Sequence, residues 1–112
     1  MPRFAILEHD WPSRHWDLLL EDGETLLAWR LLEEPRAGMA VIAEKNADHR
    51  TVYLDYEGPV SGDRGSVTRW DAGTFECIER TSDALEVRMN GAKIIGRLRL
   101  IRVDDNWNCT IV

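Results

Sequence analysis

Residues 4–17 read FAILEHDWPSRHWD and predict two short β-strands joined by a tight link. The link Trp11-Pro12-Ser13 is short enough to fold the strand before it against a strand at residues 15–20. Side chains alternate between the two faces of a strand, so His15 and Asp17 share one face. The opposite face is apolar and carries Trp16, Leu18 and Leu20. The hairpin is therefore predicted to have one core face and one polar face.

A candidate metal site follows from this hairpin, because His9 ends its first strand beside His15 and Asp17. Imidazole suits Zn²⁺, iron and Mn²⁺, and three protein ligands leave coordination positions open for water and substrate, as in catalytic metal sites. The same spacing fits exposed polar residues on an amphipathic hairpin, because pairs of histidines are common in sequences. The triad is therefore a hypothesis that needs support from elsewhere in the chain.

The rest of the chain predicts short strands separated by turns, with at most short helical turns. Hairpin turns are indicated at Asp22-Gly23 and Asn90-Gly91. Glu44–His49 is predicted to be a loop or one helical turn, and Ala72-Gly73 to join two strands. The predicted strands are 3–8, 15–21, 25–32, 39–43, 51–55, 66–71, 74–80, 85–89, 93–103 and 107–112. Short strands at this spacing predict an all-β fold, either a small barrel or a sandwich.

Length and composition favour one soluble domain spanning residues 1–112. A chain of this size buries a hydrophobic core without disulfides or structural metals. Cys77 and Cys109 lack the Cys-x-x-Cys spacing of zinc and redox sites, and we expect them to be reduced, buried or half-buried thiols of a cytoplasmic protein without a signal peptide. No apolar run approaches the roughly 18 residues that span a bilayer. We therefore expect a monomer that does not associate with membranes.

Charge is unevenly distributed along this chain, whose formal net charge is −6. Residues 1–57 hold 6 basic and 12 acidic side chains, whereas residues 58–112 hold 8 of each. Residues 88–102 contain five basic side chains and no acidic one, which fits either a stripe along a phosphate backbone or a solvated strand face. The overall acidity argues against strong non-specific DNA binding and leaves weak or end-specific contact open.

Several blocks of residues, in a fixed order along nearly the whole chain, carry a family resemblance. They are His9-Asp10, His15-Trp16-Asp17, Ala28-Trp29, Asp48-His49, Tyr53, Asp55-Tyr56-Glu57-Gly58, Trp70-Asp71-Ala72-Gly73-Thr74-Phe75-Glu76, and the segment from Gly91 to Arg102. In this order and spacing the chain resembles the 3′-phosphoesterase domain of bacterial DNA ligases of the ligase D type. The ordered blocks are much more specific than the metal spacing alone.

The resemblance implies a compact antiparallel β-barrel of about eight or nine strands. It also implies a domain that trims the 3′ ends of DNA strand breaks by removing a phosphate or a terminal ribonucleoside. His9, His15 and Asp17 match the family's metal ligands, with Mn²⁺ as the expected ion and Zn²⁺ or another divalent transition metal as alternatives. His49 and Tyr53 match residues that contact the phosphate. His49 would act as a general acid or as a stabilising cation, and Tyr53 would donate a hydrogen bond.

The chain departs from the family pattern at three polar positions, which here are apolar. Leu19 replaces an arginine, Leu7 a glutamine and Val41 an arginine. Because Leu19 shares a strand face with Asp17, we expect it to point toward the substrate side of the metal. The family's glycine-rich loop is shortened to residues 61–65. The phosphate-binding side of the site is therefore predicted to have fewer polar contacts than the family pattern.

Three arginines are candidates to restore positive charge around the substrate: Arg14, Arg36 and Arg64. Each charge-assisted contact is worth on the order of 1.5–3 kcal/mol, so their placement decides whether the site binds a phosphoester well. Two functional interpretations remain open. One is a metal-dependent phosphoesterase of DNA repair that acts on DNA or RNA/DNA 3′ ends, with ligase or end-joining proteins as separate partners. The other is a non-catalytic metal-binding barrel that binds nucleic-acid ends or proteins.

Overall fold

Nine β-strands and one short 3-10 helix make up the fold in the computed structural model, which describes residues 1–112. The strands are β1 (Arg3–His9), β2 (His15–Asp22), β3 (Thr25–Leu31), β4 (Ala40–Arg50), β5 (Gly58–Pro59), β6 (Ser66–Arg80), β7 (Ala84–Gly91), β8 (Ile95–Val103) and β9 (Asn106–Ile111). The 3-10 helix, Thr51–Leu54, follows β4. No helix is long and apolar enough to cross a membrane.

The strands form a closed antiparallel barrel. Their order around it is β1-β2-β3-β4-β9-β8-β7-β6, and pairing between β1 and β6 closes the ring. The two-residue strand β5 pairs with the start of β6 and adds a ninth strand outside this ring. The predicted all-β class and the barrel implied by the family resemblance are therefore both confirmed.

Three local predictions are wrong, and the second hairpin turn lies two residues later than predicted, at Ala92-Lys93, because Asn90 and Gly91 are still part of β7. Glu44–His49 is part of β4, because its backbone pairs with β3 through an irregularity opposite Leu26 and Ala28. Residues 51–55 are not extended, since Thr51–Leu54 forms the 3-10 helix. The turn predicted at Ala72-Gly73 lies inside one strand, Ser66–Arg80. A Cβ on Gly73 would lie 2.1 Å from the carbonyl oxygen of Asn90, so this glycine permits close approach of two strands.

The barrel interior is filled by a cluster of 19 buried residues contributed by all eight barrel strands and the β7–β8 turn. A second cluster of seven covers the outer face of the barrel. It comprises Ala5, Leu7, Leu19, Leu26, Ala28, Leu54 and Val67, so the 3-10 helix packs against β1, β2 and β3 from outside. These strands are thus buried on both faces, as Leu18 and Leu19 show with no exposed surface on either side of β2. Residues of this outer cluster also line the candidate site described below.

The buried carboxylate of Asp71 organises the turn between β7 and β8. One oxygen accepts the backbone N–H groups of Ala92 and Lys93, at 2.8 and 3.2 Å, and the other accepts that of Ile94 at 2.8 Å. Gly91 is required beside it, because a Cβ there would lie 2.5 Å from Asp71 Oδ2. A charged acceptor is therefore enclosed by backbone donors that have no other protein partner in this turn.

Replacing this carboxylate should destabilise the barrel. We expect Asp71→Ala to lower the free energy of unfolding by about 2–4 kcal/mol, because the buried N–H of Ile94 and the part-buried N–H groups of Ala92 and Lys93 lose their acceptor. The matched control is Asp83→Ala, which removes an exposed carboxylate from a neighbouring turn and should change stability by less than about 0.5 kcal/mol. Urea unfolding followed by tryptophan fluorescence measures both. Equal stability of the two variants would contradict the role assigned to Asp71.

The two free cysteines should differ in reactivity. Cys77 is exposed, contrary to the expected burial, because it lies in the exposed end of β6. Cys109 is 1% exposed, as expected, and burial raises the pKa of its thiol to about 12. Because the thiolate is the reactive form, we expect one equivalent of thiol to react with an aromatic disulfide reagent in the native protein and two after denaturation. Cys77→Ser should abolish the native reaction. Rapid reaction of both thiols in the native protein would show that the barrel opens at β9.

Candidate functional site

A cavity of about 200 Å³ opens on the outer face of the barrel, between β1–β4 and the covering segment of residues 51–65. Its position follows from strand alternation, because residues that point away from the barrel interior point into it. The walls combine the metal-ligand candidates with His49, Tyr53 and apolar side chains of the outer cluster. Trp11 also lines the cavity and is 43% exposed.

The three metal-ligand candidates converge in this cavity. His9 and His15 are directly opposite each other across the β1–β2 pair, and their ring centroids are 4.8 Å apart. The Asp17 carboxylate lies 3.5 Å from His9 Nδ1 and 3.1 Å from His15 Nε2. The ligand atoms of the three residues all lie within 4.8 Å of one another. The hairpin register therefore assembles the set that the sequence spacing suggested.

Backbone carbonyl groups fix the orientation of both imidazoles. Nε2 of His9 donates to the carbonyl oxygen of Arg64 at 2.7 Å, and Nδ1 of His15 donates to that of Ser13 at 3.0 Å. A carbonyl oxygen only accepts hydrogen bonds, so each of these nitrogens carries the proton. The other ring nitrogen of each histidine faces Asp17, and in the neutral imidazole this nitrogen has the lone pair that a metal ion would bind. Metal-binding histidines are held in this way by a hydrogen bond at the second nitrogen.

The donor set fits a divalent transition metal. Nε2 of His15 is buried, and although it is 3.1 Å from Asp17 it is poorly directed for a hydrogen bond. Two donors bound at about 2.1 Å to one ion lie roughly 3–4 Å apart, so small side-chain rotations would suffice to hold one. Burial disfavours a charge on His15, but the Asp17 carboxylate and the Ser13 carbonyl together raise its pKa. The Asp17 carboxylate therefore favours a positive charge beside it, against the opposing effects of burial and Arg30.

Asp10 fastens the loop that supplies the carbonyl group to His9. Its carboxylate accepts the backbone N–H of Ser66 at 2.8 Å, and this hydrogen bond lowers the pKa of Asp10. Gly65 lies between with φ +72°, and a Cβ there would be 2.2 Å from Asp10 Oδ1. The loop therefore packs tightly on the metal side of the cavity, with the Arg64 carbonyl held against His9.

His49 and Tyr53 lie on the wall of the same cavity, at the end of β4 and in the 3-10 helix. Their rings are 5.8 Å apart and nearly perpendicular. Nδ1 of His49 donates to the Ala47 carbonyl at 2.8 Å, which leaves Nε2 without a backbone partner. His49 is outside the group of residues whose ligand atoms could share one metal ion. The two residues are thus placed beside the candidate metal centre.

Of the three candidate substrate-binding arginines, only Arg64 lines the cavity. Its guanidinium donates to the carbonyl and hydroxyl oxygens of Ser61, at 2.8 and 3.2 Å. Arg14 is exposed, pairs with Glu8 at 3.0 Å and packs over the Trp16 ring. Arg36 is exposed and is not part of the cavity wall. The structure therefore brings one of the three to the site.

The apolar replacements fall into two groups. Leu7 and Leu19 both line the cavity, so the expectation that Leu19 shares the face of His15 and Asp17 is confirmed. Val41 instead belongs to the barrel interior. The first half of β4, with Val41, packs in the interior, whereas its second half, with His49, lines the cavity. The pairing of β4 with β3 is irregular in this second half. Two of the three apolar residues therefore lie in the cavity wall.

Sequence reasoning missed Arg30 and Asn46, which both line the cavity. The signal for Arg30 was present, because a hairpin at the predicted Asp22-Gly23 turn pairs β3 with β2 and brings Arg30 opposite Asp17. No comparable signal existed for Asn46. Its position depends on the pairing of β4, a strand whose second half has no apolar alternation.

The basic stripe of residues 88–102 does not form a free positive surface. Arg97 and Arg99 both pair with the nearly buried Glu86, Arg88 pairs with Glu76, and Arg102 pairs with Asp83. Lys93 lies over the ring of Trp70. These strands are on the side of the barrel away from the cavity. The pattern is a solvated strand face whose charges are largely balanced.

A family model described as the DNA Ligase D 3′-phosphoesterase domain matches residues 7–102. The chain belongs to this family. The matched range begins at β1 and ends in β8, and it includes the metal-ligand candidates, His49 and Tyr53. A search of curated proteins gives no match.

The metal hypothesis predicts one ion per chain. We expect protein dialysed against Mn²⁺ or Zn²⁺ to retain one equivalent, and His15→Ala to lose it, because a buried ligand and the lone pair facing Asp17 are removed. His49→Ala is the matched control and should retain the ion, since His49 is outside the ligand group. Elemental analysis by mass spectrometry measures all three. Equal metal content in His15→Ala and wild type would exclude the triad.

Proposed function

We propose that this domain is a metal-dependent phosphoesterase that acts on the 3′ ends of DNA, where it removes a 3′-phosphate or a 3′-terminal ribonucleoside during repair. Membership of the ligase D 3′-phosphoesterase family supports a DNA 3′ end as substrate. The observation that carries the proposal is one cavity with three convergent metal-ligand candidates on one wall and His49 and Tyr53 on another. Ligation after end trimming would be the task of another protein or domain.

His9, His15 and Asp17 would hold the cofactor, which we propose to be Mn²⁺, with Zn²⁺ as the alternative. Such an ion supplies a Lewis acid that draws charge from a phosphoryl oxygen. The residues around it do the orienting work. The carbonyl groups of Arg64 and Ser13 keep both imidazoles aligned, so the ligand set need not reorganise when substrate binds.

His49 is proposed as the general acid. The Ala47 carbonyl holds Nδ1, so a protonated His49 has its Nε2 proton free to donate. As water attacks phosphorus and the ester P–O bond breaks, that proton passes from Nε2 to the departing oxygen. Proton donation by a positioned side chain typically contributes 10²–10⁴-fold to the rate.

Tyr53 is proposed to bind a non-bridging phosphoryl oxygen. Its ring is anchored between the rings of His49 and Tyr56, at 5.8 and 5.7 Å. Tyr56 is itself tied to the Pro59 carbonyl through its hydroxyl group. A phenol fixed in this way donates a hydrogen bond without first losing rotational freedom, which favours stabilisation of the charge that develops on the phosphoryl group.

The decisive assay uses 5′-labelled DNA primers that end in a 3′-phosphate or in one 3′-ribonucleotide. We expect Mn²⁺-loaded protein to remove the terminal group. His15→Ala should be inactive, and His49→Ala should be slowed at least about 100-fold, because it loses the proton donor. Arg88→Gln, a charge change at a surface ion pair remote from the cavity, should match wild type. Metal-loaded wild type that binds both primers and cleaves neither would favour the non-catalytic binding module.

A further inference from the structure

Arg30 places a guanidinium group in the cavity at a position that the family resemblance does not assign. It lies on the outer face of β3, alternating with the interior residues Trp29 and Leu31. In the sheet it stands directly opposite Asp17 on β2 and Glu44 on β4. Its side chain is partly buried and lines the cavity that holds the metal-ligand candidates.

This guanidinium group has no partner in the protein. Its Nε atom is buried without a hydrogen-bond acceptor, and no carboxylate oxygen approaches any of its nitrogens within 4.0 Å, although Asp17 and Glu44 are its neighbours in the sheet. Arg64, the other arginine on the cavity wall, is in contrast held by two hydrogen bonds to Ser61. Because arginine keeps its proton in proteins, Arg30 is a fixed positive charge whose buried N–H lacks an acceptor.

The apolar surroundings of Arg30 strengthen its electrostatic interaction with an anionic acceptor. Leu7 and Leu19 line the cavity with almost no exposed surface, so charges there are less screened than at an open surface. The cavity of about 200 Å³ is below the roughly 300–1,000 Å³ of sites that enclose a drug-sized ligand. It has room for a phosphate group beside Arg30, with the rest of the strand end extending out of its open mouth.

We infer that Arg30 binds two non-bridging oxygens of a terminal phosphate and makes the site selective for a 3′-phosphomonoester over a phosphodiester; this rests on the proposed function. A guanidinium group pairs with phosphate through two parallel N–H donors. A terminal monoester offers three non-bridging oxygens and close to two negative charges, whereas a diester offers two oxygens and one charge. Arg30 therefore binds the monoester more strongly than the diester. It provides from β3 a positive charge that the apolar Leu19 on β2 cannot provide.

The test measures binding of inorganic phosphate to Mn²⁺-loaded protein by calorimetry, together with kcat/KM on the two primers. The variants are Arg30→Gln, Arg30→Lys and the control Arg88→Gln. We expect Arg30→Gln to weaken phosphate binding and to lower kcat/KM on the 3′-phosphate primer by about 10- to 100-fold, with a smaller loss on the ribonucleotide primer. Arg30→Lys should recover part of the loss, since it keeps the charge without the paired donors. Metal content and melting temperature should remain those of wild type.

Each other outcome has a defined meaning. Unchanged phosphate affinity in Arg30→Gln overturns the inference, and equal losses on the two primers overturn the claimed selectivity. Loss of the metal from both Arg30 variants would assign Arg30 to balancing Asp17 and would also overturn it. If wild type binds phosphate through Arg30 but cleaves neither primer, the proposed function fails while Arg30 keeps its anion-binding role. If both primers are cleaved but phosphate does not bind wild type, the proposed function stands and the anion-binding role of Arg30 is overturned.

Discussion

Burial of the β1–β2 hairpin on both faces is the constraint on which the rest of the structure depends. Leu18 and Leu20 fill the barrel interior, while Leu19, between them, is equally buried in the outer cluster. Burying a leucine contributes roughly 1.5–3 kcal/mol, and a register slip by one residue would exchange the two faces of the strand and remove that packing for the whole strand. The same register holds His9 opposite His15, so the packing that stabilises the barrel also sets the geometry of the metal-ligand candidates.

The outer face of the barrel is turned into a cavity by what covers it. Leu54 in the 3-10 helix packs on the outer cluster, and the loop that follows returns along β1 through the contact between Asp10 and Ser66. This covering segment carries Tyr53 and the Arg64 carbonyl, while the end of β4 carries His49. The candidate chemistry therefore lies between a rigid sheet and a segment tied to it by a few polar contacts, which is how functional loops are held on rigid scaffolds.

The cavity combines apolar walls with few polar side chains, so any contacts to a charged ligand depend on a small number of residues. Leu7 and Leu19 offer no hydrogen bond to a ligand in the cavity, but they lower its effective dielectric, which strengthens the interactions of the charged groups there. The carbonyl group of Arg64 accepts a hydrogen bond from His9, and its guanidinium group donates to Ser61. Both groups of Arg64 are therefore occupied by contacts within the protein. That arrangement leaves Arg30 as the arginine of the cavity wall without a protein partner.

The sequence alone determined the all-β class and the first hairpin, because these depend on alternation and on the short link between the two strands. The spacing of His9, His15 and Asp17 made their convergence a hypothesis, which the ordered family blocks then favoured. The ordered blocks also indicated His49 and Tyr53. Only the tertiary structure decided that Glu44–His49 continues β4, that Val41 faces the interior and that Arg30 and Asn46 reach the cavity. These outcomes depend on the irregular pairing of β3 with β4 and on closure of the ring by β1 and β6, which are contacts between distant segments. Local periodicity carries no information about such contacts, so charge placement around the phosphate could be found only once the barrel was closed.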